Sequence, residues 1–183
     1  VPSPPAGNFY TLPGGPSGGG KIIPPGTIYY NDASIHYYAE VNGVFCKEDT
    51  FSFQVFPLPP VDQPANVITC SSYTLPALTH GDYYTQSGGA GDQLLPGTTI
   101  TETTTLYAFN FDGKCANESE FTVFITPQFD DVVSCGAFQL PEVEVGGFYS
   151  LPNGQGNLLT STTKIKFSQT IYYFAETTTS PNC

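Results

Sequence analysis

Apolar and polar residues alternate with a period of two in short runs along this chain. FSFQVF at 51–56 shows the alternation, FTVFIT at 121–126 and TIYYFA at 170–175 are strand-like apolar runs, and 69–75 and 98–111 are rich in Thr, Tyr, Leu and Ile. Such runs predict β-strands half-buried on one face, because successive side chains of a strand point to opposite sides. Gly, Pro, Asn and Asp separate them at short intervals. Asn42-Gly43 and Asp112-Gly113 predict two-residue hairpins, since a type I′ turn needs positive φ at both central positions. No segment sustains the 3.6-residue helical period. With 12 Tyr and 14 Phe, the chain reads as all-β, a sandwich or barrel.

One block of this pattern occurs three times, as GNFYT from Gly7, GDYYT from Gly81 and GGFYS from Gly146, offset by 74 and 65 residues. Each copy continues into a glycine-rich stretch: GGPSGGG from Gly14, SGGAGD from Ser87 and NGQGN from Asn153. Each then reaches an aromatic run: IHYYAE from Ile35, LYAFNF from Leu106 and IYYFAE from Ile171. A period this long predicts tandem small domains rather than a solenoid. The expected units are 1–58, 59–128 and 129–183, set in an extended array by proline-bearing or acidic connectors that keep the joints short and stiff. Val1-Pro2 falls where the other copies have Leu75-Pro76 and Leu140-Pro141. The third copy has no counterpart of the strand after Cys115. The first and last units are therefore expected to be incomplete, as in a window from a longer array.

Units of this size bury modest cores and often need covalent support. Cys70 and Cys135 open the second and third copies. Cys46, Cys115 and Cys183 follow the aromatic runs. Pairing within each copy joins Cys70 to Cys115 and Cys135 to Cys183, and leaves Cys46 to a partner upstream of Val1. Each such bridge removes about 4 kcal/mol of unfolded-state entropy in the chain-entropy model. The alternative staples neighbours, Cys46 to Cys70 and Cys115 to Cys135. Either scheme places the protein outside the cytoplasm. No cysteine pair has the CxxC spacing of a metal site.

Sixteen acidic residues against five lysines and no arginine give a net charge of −11. This surface repels phosphate backbones, so a nucleic-acid partner is not expected. No apolar run is long enough to span a bilayer as a helix.

The string CSSYTLPALTHGDYYTQSGGAGDQLLPGTTITETTTLYAF from Cys70, with FTVFITP after Cys115 and DDVVSC leading into Cys135, resembles a repeat of very large cell-surface proteins of Bacteroidetes, including flavobacterial gliding-adhesin-like proteins. The resemblance is strongest in the second copy. It implies immunoglobulin-like repeats, export by the type IX secretion route, and a role in surface filaments or adhesins that support attachment or gliding. It carries no catalytic residues and no located ligand. The partners it implies are neighbouring repeats of the same chain, surface glycans or other filament chains.

Chemistry-bearing residues are sparse. Gly15-Pro16-Ser17-Gly18-Gly19 matches a hydrolase nucleophile elbow in letters but lacks the strand-to-helix context, and the other copies have no serine there. The glycine-rich stretches lack the helix and lysine of a phosphate cradle and read as flexible turns. His36 and His80 occupy non-equivalent positions. Glu118 with Glu120, and Asp130 with Asp131, are paired carboxylates without a shared cleft. Asn117-Glu118-Ser119 is an acceptor sequon only in a eukaryotic secretory route. Asp62, Asp130 and Asp131 near the joints are weak calcium candidates, since no dense loop supplies six to eight oxygens. Tyr10, Tyr84 and Tyr149, one from each aromatic pair, are candidates for contact with a sugar ring; packing is the competing role. The sequence thus predicts no enzyme and no required cofactor. It predicts an extracellular structural repeat, or alternatively a module whose repeats touch a carbohydrate or surface directly.

Overall fold

A computed structural model describes the chain except Pro5, Thr179 and Ser180, and the backbone alone at Val41. It is all-β, with two 3₁₀ turns at Gly15–Ser17 and Ser87–Gly89. The chain divides at Pro57 into two compact units, Val1–Pro57 and Leu58–Cys183; the second holds both the second and third sequence copies.

In the first unit β1 (Asn8–Tyr10), β2 (Ile22–Ile23), β3 (Ala33–Val41) and β4 (Val44–Phe53) form one antiparallel sheet in the order β2-β1-β3-β4. Phe9, Ile23 and Ile35 are its buried centre, with Tyr29, Tyr37 and Phe53 packed around them. Asn42 and Gly43 both have positive φ, 51° and 77°, and Val41 pairs with Val44. That is the predicted two-residue turn.

The second copy contains β5 (Val67–Thr69), β6 (Tyr73–Thr74), β7 (Asp82–Gln86), β8 (Ala90–Leu94), β9 (Thr99–Ile100), β10 (Thr104–Phe111) and β11 (Ala116–Ile125). Five form a sheet in the order β5-β11-β10-β7-β8, and β6 pairs with β9 in a second sheet. Leu75, Tyr83, Ile100, Leu106, Phe121 and Val123 fill the space between. The two runs read as single strands, 69–75 and 98–111, each break into pieces on different sheets. Alternation reports which side chains are apolar, and a strand that switches sheets keeps its apolar side inward. The second hairpin also differs from expectation. Phe111 pairs with Ala116, so the loop has four residues, and only Gly113 has positive φ (91°). Asp112 instead accepts hydrogen bonds at Oδ1 from the amides of Lys114 (2.9 Å) and Cys115 (2.8 Å), an Asx turn that makes a second left-handed residue unnecessary.

The third copy contains β12 (Phe138–Gln139), β13 (Gly147–Leu151), β14 (Gln155–Leu159), β15 (Lys164–Ile165) and β16 (Tyr172–Phe174). Its sheets are β14-β13-β16 and β12-β15. They match β8-β7-β10 and β6-β9: Phe148 lies opposite Tyr173 as Tyr83 lies opposite Ala108, and opposite Leu159 as Tyr83 lies opposite Leu94.

Candidate functional site

The most repeated local structure is the glycine-rich loop over the outer face of each sheet. In every copy a hydroxyl of the FYT, YYT or FYS motif accepts a hydrogen bond from a backbone amide across the loop. The bonds are Lys21 N to Thr11 Oγ1, Asp92 N to Thr85 Oγ1 and Asn157 N to Ser150 Oγ, each 2.9 Å. Beneath each loop two rings meet edge to face: Tyr10 with Tyr38 at 6.2 Å, Tyr84 with Phe109 at 5.8 Å and Tyr149 with Phe174 at 6.2 Å. Such pairs contribute about 0.5–1.5 kcal/mol beyond area burial.

One glycine per loop lies flat on the second ring. A Cβ at Gly15, Gly89 or Gly154 would stand 2.4, 2.6 or 2.7 Å from atoms of Tyr38, Phe109 or Phe174, and all three have positive φ. The glycines are therefore required twice over, by backbone and by contact. In the first two copies a glutamate from the last strand closes the arrangement. Glu48 Oε1 accepts from the Gly14 amide; Glu118 accepts from the Gly88 amide and from Ser87 Oγ (2.8 Å). Register makes the two equivalent, since Glu48 lies opposite Tyr38 and Glu118 opposite Phe109.

These loops are thus pinned covers over an aromatic pair, a correction to their reading as flexible turns. The sequence signal for the glutamates was present: each follows Cys46 or Cys115 within three residues. The contact itself spans about thirty residues and depends on a strand pairing, which local pattern does not specify.

The three candidate tyrosines are spent partly on this packing. Tyr10 is buried and offers no face to a ligand, which corrects that assignment; Tyr84 and Tyr149 are half-buried. Ser17 is exposed in a 3₁₀ turn rather than at a strand-to-helix elbow. His36 Nδ1 bonds Thr50 Oγ1 at 2.7 Å on the sheet surface. Glu118 accepts from the loop, while Glu120 lies opposite Tyr107 on β10.

Asp62, a calcium candidate, is occupied by the protein itself. Its Oδ2 accepts from the Thr79 amide at 2.6 Å and its Oδ1 faces His80 Nδ1 at 3.2 Å. The Thr79 amide foremost, opposed by desolvation and assisted by His80, holds its carboxyl below the usual range. Asp130 and Asp131 lie on the connector to the third copy, exposed. Among the described residues no three His, Cys, Asp or Glu side chains group as metal ligands.

The cysteine pairing differs from both schemes the sequence suggested. Cys70 is joined to Cys183, 113 residues away, with their Cα atoms 5.4 Å apart. The physical reason is the parallel pairing of β5 with β11, in which Thr69 lies opposite Ile125. This sets Cys70 beside Thr126, whose amide bonds Thr69 O at 3.0 Å. Cys115 precedes the other end of β11. Ten residues of strand separate the two, about 30 Å at roughly 3.3 Å per residue, and a disulfide spans at most about 7 Å between Cα atoms. Cys70 to Cys115 and Cys135 to Cys183 are therefore replaced by one bridge between copies. Cys46 and Cys135 are exposed thiols.

Backbone bonds position Cys183 for this. It exchanges both with Ala175 at 2.9 and 3.0 Å, and the Thr178 amide bonds Ile68 O at 3.2 Å, so the end of the third copy lies along the opening strand of the second.

Among the described residues no helix is long and apolar enough to cross a membrane. No protein-family model matches this chain, and no curated protein matches it.

Proposed function

We propose that this chain is a structural repeat segment, a stalk or filament portion, of a large extracellular adhesin of the Bacteroidetes gliding-adhesin type, exported by type IX secretion. It holds surface attachment or motility functions carried elsewhere and performs no chemistry of its own. The observation that carries this reading is the threefold recurrence of the loop, hydroxyl and ring arrangement. Function that depends on shape reuses framework contacts in every unit. Catalysis requires several reactive groups in mutual register at one site, and here His36, His80, Ser17 and the carboxylates are separately engaged or exposed.

The sheet order β5-β11-β10-β7-β8 facing β6-β9, with a parallel opening strand, supports an immunoglobulin-like sandwich for the second copy. The bridge from Cys70 to Cys183 supports an oxidising compartment and a load-bearing role, because it ties successive copies to each other covalently.

The test is antibody labelling of intact, unpermeabilised producing cells, with immunogold position read after removal of one repeat period. Surface labelling that moves closer to the cell on shortening is expected. Labelling only after permeabilisation overturns the proposal. Saturable binding of the isolated chain to a glycan array would instead favour the repeats as ligand-contacting modules.

A further inference from the structure

The segment 58–66 that leads into β5 contains Pro59, Pro60 and Pro64. A proline has no N–H to give a sheet ladder, so this segment is not held as a strand. Side chains and loop amides of the second copy hold it instead. Asn110 and Asn117, directly opposite each other on β10 and β11, donate through Nδ2 to Pro60 O at 2.7 Å and to Pro59 O at 2.9 Å. Asp62 gives its amide to His80 O at 3.1 Å and accepts the Thr79 amide at 2.6 Å. Asn66 Oδ1 accepts from the Thr122 amide at 2.8 Å.

This attachment is polar and local. Of residues 58–66 only Pro59 is buried, and none belongs to the buried cluster of Leu75, Tyr83, Ile100, Leu106, Phe121 and Val123. The segment can therefore leave while that cluster stays shut. The paired amides are particular to this copy: the first copy has Ala39 opposite Lys47 at the same register, and the third has Ala175 in place of Asn110. Beyond the segment, β5 runs into Cys70, which is fixed to Cys183. Tension passing from Leu58 to Cys183 is thus carried by 58–70 and the bridge, and residues 71–182 lie off its path.

We propose that 58–66 is a strap that releases under tension. A pull reaching Leu58 meets the bonds from Asn117, Asn110 and the 79–80 loop in that order along the chain. It detaches the strap while the buried cluster remains closed, and the bridge stops the opening at Cys70. The second copy thereby yields length without exposing its interior. Nine residues reach about 30 Å when drawn straight, which bounds the gain. The prolines also let the strap reseat when the tension falls, because a chain already restricted in φ loses little freedom on docking. The inference rests on the structural reading of the array only for the source of the tension.

The experiment stretches the oxidised full chain by its two ends in optical tweezers and reads amide hydrogen exchange of the same chain at rest. A first extension of at most about 30 Å, reversible on relaxation, is expected, and residues 71–182 are expected to add length only after reductant. Asn110→Ala combined with Asn117→Ala is expected to lower the force of that first extension by about half or more, since two of its hydrogen bonds are gone, and to leave later events unchanged. At rest, the Asp62 and Thr79 amides are expected to exchange at least about tenfold faster than ladder amides of β10 and β11, after correction for intrinsic rates, because local opening precedes global opening. Exchange of both sets at one rate means that the strap opens only with the core and overturns the proposal, whether or not the double variant folds. A first extension that is absent, that is unchanged in the variant, or that draws on 71–182 before reduction overturns it as well. Surface labelling of cells is untouched by a strap that fails at rest, and labelling confined to permeabilised cells leaves the exchange result standing, so the two failures are distinguishable.

Discussion

The second and third copies carry nearly the same loop, ring and glycine arrangement but differ in how their cores close. In the second, β11 seals six buried side chains between two sheets. In the third, Leu140 and Phe148 are buried, yet Ile165 and Tyr173 line an open cleft and Phe129 sits across it from outside the sheet. The recurring motif builds one sheet and its covering loop in both copies, and in the second β11 completes the buried core. The bridge at Cys70 ties the second copy to the third.

Removing that bridge is expected to have the largest effect. Cys70→Ser releases a loop of 113 residues, about 5 kcal/mol in the chain-entropy model, an upper figure. Urea denaturation with and without reductant reads it. Peptide mapping under non-reducing conditions is expected to recover Cys70 linked to Cys183. Recovery of Cys70 linked to Cys115 would break the contrast between copies, since each would then close on itself.

Phe121→Ala follows, at about 3–5 kcal/mol for a large side chain deleted from a packed core. Phe129→Ala, its nearest analogue in the third copy, is half-exposed and is expected to cost about 1 kcal/mol, roughly half the transfer value for full burial. Equal losses in urea denaturation would mean that Phe129 seals the third core as well as a strand does.

Much of this was legible in the sequence. The all-β class and the Asn42-Gly43 turn follow from period-two runs and backbone demands that are local. The alignment of Val1 with Leu75 also has a structural counterpart, for Gly26 N bonds Val1 O as Gly97 N bonds Leu75 O, each at 2.8 Å. What escaped was non-local. Cysteines that recur once per copy say nothing about which end of a sandwich each occupies, and only the parallel pairing of β5 with β11 sets Cys70 far from Cys115. The role of Glu118 likewise depends on the register of β10 with β11, and the aromatic pairs needed the loop above them to be seen as covered.

The glutamate clamp sharpens the comparison on a smaller scale. Glu118→Ala removes the acceptor for the Gly88 amide and Ser87 hydroxyl at a partly solvated site, an expected loss of about 1 kcal/mol. In the third copy the loop is held by Ser150 and by its own turn, Gln155 N to Pro152 O at 3.3 Å. Amide exchange at Gly88 is expected to quicken in the variant while exchange at Gly154 stays unchanged. A change at both would mean that the two loops are coupled rather than independently pinned.

The smallest effect expected is a pH dependence confined to the segment 79–81 of the second copy. Thr79 N donates to Asp62, and His80 adds to it, so folding lowers the Asp62 pKa. A carboxylate so lowered contributes stability above its unfolded value, near 4, and loses it as pH falls through the lower folded value. Protonation withdraws the acceptor charge, and the Thr79 and His80 amides are then expected to exchange faster than the intrinsic pH dependence requires. The matching stretch of the third copy, 144–146, supplies the internal reference. Asp62→Asn abolishes the titration while keeping a side-chain oxygen for Thr79, so it is expected to remove the acid-induced difference without opening the loop at neutral pH. If the difference persists in Asp62→Asn, another group titrates there, and this joint is not held by the carboxylate.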